Sequence, residues 1–224
     1  MNVRESERDR LWNLIEEAQA ETDHEMANAL FHDAEELGRR LHEREPNEPE
    51  HCYAVALSFY HRWDTPDERR KCIDWLNKAD QRIPSLPWVP LYLGYQLFDD
   101  GRYVEACAEF ARVDQSYFAS IDHHWRNLKT DELVLVAMVR GSSSVIDFSR
   151  LVGIVQRYVD SNDADRPIPI EIVKTLTLAE NRARFTAPGQ NVAAEVCRLI
   201  YACGNANVFC EELTELVAAS KVVG

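Results

Sequence analysis

Apolar residues recur at three- and four-residue spacing along almost the whole chain, and this pattern constrains the fold more than any other feature. No segment shows a convincing alternation of apolar and polar residues, which is the pattern of a half-buried strand. The sequence therefore predicts an all-α protein. Periodicity and helix breakers indicate about eleven helices joined by short turns, and short turns favour antiparallel neighbours.

The predicted helices begin and end at recognisable signals. They cover residues 7–20, 23–44, 48–63, 66–82, 86–99, 102–115, 121–139, 144–160, 168–185, 190–203 and 207–220. Three of them start at capping-box patterns, namely Thr22-x-x-Glu25, Asn47-x-x-Glu50 and Thr65-x-x-Glu68. In such a box the first side chain accepts a hydrogen bond from a first-turn amide, and the acid three residues later reaches back. These patterns predict caps at Thr22, Asn47 and Thr65.

The stretch LYLGYQLFDDGRYVEACAEFARVD, residues 91–114, places a glycine inside an apolar helical run. Gly94 lacks a side chain and Ala106 has a small one, so both positions permit two helices to approach closely. The sequence Asp100-Gly101-Arg102 between them fits a tight turn, because glycine accepts backbone angles that other residues avoid. We expect helices 86–99 and 102–115 to pack as an antiparallel pair.

The same stretch resembles a tetratricopeptide repeat. The residues that carry the resemblance, at the spacing of that family, are Leu93, Gly94, Gly101, Tyr103, Ala106 and Phe110. The ends of the motif depart from the family: Pro90 stands at the position of its opening Trp, Val113 at a later Ala and Phe118 at the closing Pro. A step back by the 34-residue period of the family aligns Cys72 with Ala106. The preceding copy needs 38 residues, and no copy is found beyond residue 120.

The resemblance implies an α-solenoid of antiparallel helix pairs, in residues 1–120, whose first helices line a concave groove for a peptide or protein segment. Residues 121–224 would pack on the repeats, as a separate region or as part of the same domain. The groove-facing positions of the family fall here on Ala54, Leu57, His61, Asp64, Trp88, Leu91, Tyr95 and Phe98. The partner-binding prediction names six of these: Leu57, His61, Trp88, Leu91, Tyr95 and Phe98. The alternatives are that these side chains are core, and that the chain is an irregular helical bundle.

The chain is acidic, with a formal net charge of −13, and residues 1–112 carry 14 Lys and Arg against 24 Asp and Glu. Phosphate binding requires clustered Lys and Arg, so this balance argues against nucleic acid and anionic membranes as partners. The favoured function is a non-catalytic protein-binding module. A second hypothesis is an acidic inhibitor or immunity-type protein that blocks a basic enzyme, and the oligomeric state stays open.

Catalytic and metal-binding chemistry is poorly supported by the sequence. Two strings, Glu21-x-x-His24 and Glu48-x-x-His51, have the spacing of di-iron carboxylate ligands, but the predicted caps place both at helix starts. No nucleophile motif, phosphate loop or zinc spacing is present, so no cofactor, metal or catalytic residue is expected. An enzyme or metalloprotein with a dispersed site is the least favoured hypothesis.

The expected location is the cytoplasm. The six cysteines include no Cys-x-x-Cys and lie in apolar helical patterns, which favours reduced core thiols over disulfides. The first ten residues have no apolar leader-like run, and the longest purely apolar stretch, residues 133–139, is too short to span a bilayer.

Overall fold

The computed structural model describes residues 6–62, 65–84, 86–141 and Thr175. Eight helices lie in residues 6–141: α1 Glu7–Ala20, α2 His24–Arg44, α3 Pro49–Tyr60, α4 Pro66–Arg82, α5 Trp88–Asp99, α6 Tyr103–Phe110, α7 Gln115–Ser120 and α8 His124–Gly141. No strand occurs among the described residues, which confirms the all-α prediction for that part of the chain. The predicted helices from residue 144 onward lie outside the described residues.

Helix starts follow the sequence signals only in part. The Thr65 cap is confirmed, because its Oγ1 accepts from the Glu68 amide at 3.2 Å. The predicted cap at Thr22 is wrong: Asp23 caps α2, and its Oδ1 accepts from the Glu25 amide at 2.9 Å. The predicted cap at Asn47 is also wrong, since α3 starts one residue later, after Glu48, without a side-chain cap. Asp23 lies one residue nearer the helix than Thr22, so its carboxylate takes the capping position. Pro49 has no amide hydrogen, so one of the first-turn amides that would have donated to Asn47 is missing.

The region after α5 is more broken than the sequence predicts. Helix α6 ends at Phe110 rather than at residue 115. The short helix α7 follows, capped by Asp114, whose Oδ1 accepts from the amides of Ser116 and Tyr117. Asp122 follows α7 with φ of 60°, a left-handed conformation that ends α7 before α8 starts.

The chain divides into two compact units, residues 1–101 and 102–224. The predicted division at residue 120 stays a prediction. In the second unit α8 packs on α6 and α7, and the buried side chains there include Ala106, Phe110 and Phe118. Gly141 permits a close approach inside this unit, since a Cβ at that position would lie 2.8 Å from the Cβ of Tyr103.

In the first unit, α1 and α3 lie side by side and run in the same direction. Three contacts pair residues in the same order along both helices: Arg8 with Glu48 (2.9 Å), Trp12 with Tyr53 (ring centroids 6.2 Å) and Gln19 with His61 (2.9 Å). Helix α5 joins them through Tyr92, whose ring centroid lies 6.3 Å from that of Tyr53. We call α1, α3 and α5 the first layer.

Helices α2 and α4 run in the opposite direction and form the second layer. His42, near the end of α2, lies 3.4 Å from Cys52 at the start of α3, whereas Phe31 stacks on His61 at the other end of α3. The ring of His42 also contacts Trp75 of α4 at 5.3 Å, so α2 and α4 are neighbours. Arg69 at the start of α4 donates to the carbonyl of Asp99 at the end of α5 (3.0 Å), which makes α4 and α5 antiparallel as well.

Gly38 sets the distance between the layers at α2 and α3. A Cβ at Gly38 would lie 2.7 Å from Cγ2 of Val55, which is fully buried. Carbon atoms pack at about 3.5–4.0 Å, so only glycine fits at this point of the helix. Gly38 thus permits a close contact between α2 and α3. The close contact predicted at Gly94, between helices 86–99 and 102–115, stays a prediction.

Candidate functional site

Six aromatic side chains follow one another across the three helices of the first layer. They are Trp12 of α1, Tyr53 and Tyr60 of α3, and Trp88, Tyr92 and Tyr95 of α5. We call this set the aromatic ladder. It begins at Trp12, whose ring centroid is 6.2 Å from Tyr53, and continues to Tyr92, which is 6.3 Å from Tyr53 and 4.6 Å from Tyr60. The ladder thus connects three helices that are distant in sequence.

Tyr92 is the central residue of the ladder. Its ring stacks on Trp88 at 5.9 Å and meets Tyr95 edge to face at 6.3 Å. Only 7% of Tyr92 is exposed, whereas the other five members are partly exposed. Rings at these separations gain from their mutual orientation as well as from burial. The six rings therefore hold one another in place, with Tyr92 buried and the other five partly exposed.

His61 lies at one end of the ladder. It is exposed, it meets Tyr60 edge to face at 5.0 Å, and it stacks on Phe31 of α2 at 5.4 Å with only 9° between the ring planes. Gln19 of α1 holds its other side through a contact of 2.9 Å to Nε2. The imidazole is therefore held by residues of three helices at the end of the ladder.

The structure separates the six predicted partner-binding residues into two groups. Trp88 and Tyr95 belong to the aromatic ladder, and His61 lies at its end. By contrast, three side chains are buried: Leu57 at 5% exposed, Leu91 at 0% and Phe98 at 8%. These three serve the core, so we leave them out of the candidate surface. Of the two other groove positions, Ala54 is buried and Asp64 lies outside the described residues.

Trp12, Tyr53 and Tyr60 were not predicted from the sequence as members of the site. A signal for two of them was present, because Trp12, Tyr53 and Tyr92 are separated by 41 and 39 residues. The 34-residue period of the tetratricopeptide family does not match these separations, so it did not reveal them. The spacing is longer here because the second-layer helices are long, with 21 residues in α2 and 17 in α4.

Exposed acids accompany the aromatic ladder on the same helices. Glu16 follows Trp12 by one helical turn on α1, and Glu50 precedes Tyr53 by nearly one turn on α3. Both side chains are exposed, and neither forms an ion pair within the described part of the chain. The neighbouring Glu48 differs, since Arg8 binds its Oε2 at 2.9 Å. Two carboxylates therefore remain available beside the rings.

A second group of interactions ties the two layers together around Phe59 and Trp75. The guanidinium of Arg62 lies 4.3 Å from the ring centroid of Phe59 and binds Glu35 of α2 at 2.7 Å. Only 3% of the Arg62 side chain is exposed, so this pair is largely shielded from solvent. On α4 the Lys78 ammonium lies 3.8 Å from the ring centroid of Trp75. These cations already have partners, which makes this cluster a structural one.

Histidine and cysteine side chains at the start of α3 are also structural. His51 is 1% exposed, and within the described part of the chain neither of its ring nitrogens has a hydrogen-bond partner. Burial lowers the pKa of His51, and burial likewise lowers the pKa of His42. Burial raises the pKa of the Cys52 thiol, which is 3.4 Å from Nδ1 of His42. A neutral thiol beside a neutral imidazole lacks the thiolate that nucleophilic catalysis requires.

Among the described residues, no group of three or more His, Cys, Asp or Glu side chains is placed to hold a metal ion. Of the two Glu-x-x-His strings, the second has Glu48 paired with Arg8 and His51 buried. No helix in the described ranges is both long and apolar enough to cross a bilayer. Comparison of the chain with protein-family models, curated proteins and solved structures found no match.

Proposed function

We propose that this protein is a non-catalytic protein-interaction module that binds a peptide or protein segment on the aromatic ladder. The observation that carries the proposal is the row of partly exposed Trp and Tyr rings that crosses α1, α3 and α5. Trp and Tyr are the residues most enriched among those that dominate binding energy at protein interfaces. Helices hold these rings firmly, so little conformational entropy is lost when a partner binds.

The arrangement of the helices supports a tetratricopeptide-like solenoid. Helices α1 with α2, and α3 with α4, pack as antiparallel pairs, and α1 and α3, the first helices of these two pairs, contact each other. In repeats of that kind the first helices carry the binding surface, which is where the aromatic ladder lies. Cys52, Cys72 and Cys107 are thiols, which fits the proposed cytoplasmic location.

A pull-down from native lysate tests the proposal when it is run with a matched pair of variants. Tyr60→Leu removes a partly exposed ring from the aromatic ladder, whereas Asp33→Asn changes an exposed residue of α2 in the second layer. We expect the partner to be lost with Tyr60→Leu and kept with Asp33→Asn, while both variants keep the circular-dichroism spectrum of the wild type. Equal capture by both variants would contradict binding at the ladder.

A second candidate function is supported by charge. The excess of acidic residues in residues 1–112 suits an inhibitor that covers a basic surface of an enzyme. Such binding depends mainly on charge, which speeds association and is screened by salt. The salt test compares capture at about threefold below and about threefold above physiological ionic strength. A partner lost at the higher salt but kept by Tyr60→Leu would favour the inhibitor.

A further inference from the structure

We infer that the segment bound by the aromatic ladder carries arginine or lysine side chains, with the cation over the ladder rings and paired with Glu16 and Glu50. This inference rests on the proposed function and names the chemistry of the partner. Three observations point to it: the position of the two acids, the use of cations on rings elsewhere in the same unit, and the net charge of that unit.

The two acids lie on the ring-bearing sides of their helices. At about 100° per residue, Glu16 is about 40° from Trp12 around α1, and Glu50 is about 60° from Tyr53 around α3. Glu17, the next residue on α1, is about 140° from Trp12 and so faces away. A guanidinium or ammonium over the Trp12 or Tyr53 ring is therefore within reach of a carboxylate that has no ion pair in the described part of the chain.

Cations over aromatic rings already stabilise this unit between its layers. Arg62 lies over Phe59 at 4.3 Å, and the rings of Trp75 and Phe59 also have Arg39 at 5.2 and 5.7 Å. The attraction comes from the negative face of the ring, and it is stronger for Trp and Tyr than for Phe. The aromatic ladder consists of Trp and Tyr only, and five of its six rings are partly exposed, so a cation suits it better than an uncharged polar group does.

The charge of the unit favours the same partner. Residues 1–101 carry 12 Lys and Arg against 22 Asp and Glu. An acidic segment would be repelled by this charge. A purely apolar segment would gain nothing from the charges of Glu16 and Glu50. A cationic segment gains from the field of the whole unit during approach and from the rings and acids once bound.

Selection from a phage-displayed library of random peptides, with the full chain as bait, tests the inference and requires no candidate partner. We expect enriched peptides to contain arginine or lysine near apolar residues. The affinity of each selected peptide, made synthetically, is then compared with that of an uncharged copy. In the uncharged copy, citrulline replaces arginine and norleucine replaces lysine, so the shape is kept and the charge is removed. We expect the uncharged copies to bind about fivefold more weakly for each cation that lies over a ring.

Variants of the protein locate the binding site. Trp12→Leu and Tyr53→Leu should weaken binding of the selected peptides, whereas Trp12→Phe and Tyr53→Phe, which keep a ring, should weaken it less. Glu16→Gln and Glu50→Gln should each weaken the charged peptide, while Glu17→Gln should leave its affinity unchanged. Because these three glutamates are exposed, the comparison of Glu16→Gln with Glu17→Gln holds even if a ring variant fails to fold.

Each other outcome contradicts a specific claim. The inference is overturned if the selected peptides lack cations, or if their uncharged copies bind equally well. If Trp12→Leu still weakens the binding of those peptides, the proposed function stands. Charged peptides that bind Trp12→Leu and Tyr53→Leu as tightly as the wild type bind elsewhere on the acidic surface. That result, or the absence of any enriched peptide, overturns both the inference and binding at the aromatic ladder.

Discussion

Replacement of Gly38 by alanine tests the packing that holds the two layers together. The new methyl carbon would lie 2.7 Å from Cγ2 of Val55, about 1 Å closer than carbon atoms pack. Val55 is fully buried and β-branched, so it has little freedom to turn away. Such overpacking costs about 1–3 kcal/mol, and the better helix propensity of alanine returns about 1 kcal/mol. We expect Gly38→Ala to lower the free energy of unfolding by about 1 kcal/mol.

A double-mutant cycle with Val55→Ala isolates the contact. Val55→Ala alone should cost about 2 kcal/mol, because it removes buried methyl groups and leaves a cavity. In the double variant the methyl of the new alanine at position 38 occupies part of that cavity, so the combined cost should be smaller than the two single costs together by about 1 kcal/mol. Urea unfolding followed by tryptophan fluorescence suits the cycle, since four of the five tryptophans lie in residues 1–101.

Two results would refute this reasoning about Gly38. Costs that add to within about 0.5 kcal/mol would mean that Gly38 and Val55 do not compete for the same space. A gain of about 1 kcal/mol from Gly38→Ala would mean that the position behaves as an open helix surface, where only propensity matters.

Three further substitutions probe single features. His51→Leu removes two buried ring nitrogens that have no hydrogen-bond partner among the residues that the structure describes, so it should raise the free energy of unfolding by about 1–2 kcal/mol. Burial lowers the pKa of His51 from 6.5, so the unfolded chain takes up the proton first as the pH falls. The stability of the wild type should therefore fall as the pH drops below 6.5. The urea midpoint of His51→Leu should fall less than that of the wild type between about pH 8 and 5. Gly101→Ala should cost about 1 kcal/mol in thermal unfolding, since Gly101 has φ of 75°. Arg62→Met removes the shielded cation between Phe59 and Glu35 but leaves Glu35 paired with Arg39 at 2.8 Å, so it should cost about 1–3 kcal/mol in urea. Arg40→Met, at an exposed ion pair, should cost less than about 0.5 kcal/mol. The account of His51 would be contradicted if wild type and His51→Leu lost the same stability between about pH 8 and 5. The account of Gly101 would be contradicted if Gly101→Ala left the unfolding temperature unchanged, and that of Arg62 if Arg62→Met and Arg40→Met lowered the free energy of unfolding equally.

Local signals in the sequence were enough to place most of the first-unit helices. The structure has α1 and α4 with the predicted bounds, since apolar periodicity and, for α4, the Thr65 box act within a few residues. Helix α7 was missed because six residues after Asp114 are too few to show a period. The mistaken cap at Thr22 reflects competition between adjacent polar residues, which depends on the backbone path and not on residue type alone.

The candidate site was only partly predictable because it depends on contacts between distant residues. Trp88, Tyr95 and His61 were found through a local motif resemblance. Trp12 joins them only because α1 and α3 lie in parallel, a contact that spans 41 residues between Trp12 and Tyr53. The burial of residues such as Leu57 depends on the register in which helices pack, and the periodicity of a single helix does not fix that register.

The central claim is that a partner binds on the aromatic ladder, and site-directed photo-cross-linking tests it most directly. Benzoylphenylalanine, which forms a covalent bond to whatever lies beside it on illumination, replaces Tyr60 in one variant and Asp33 of α2 in another. Both variants are illuminated in native lysate, and the adducts are separated by mass. We expect a discrete protein or peptide adduct from the position of Tyr60 and none from the position of Asp33. The same adduct from both positions, or from Asp33 alone, would contradict the claim.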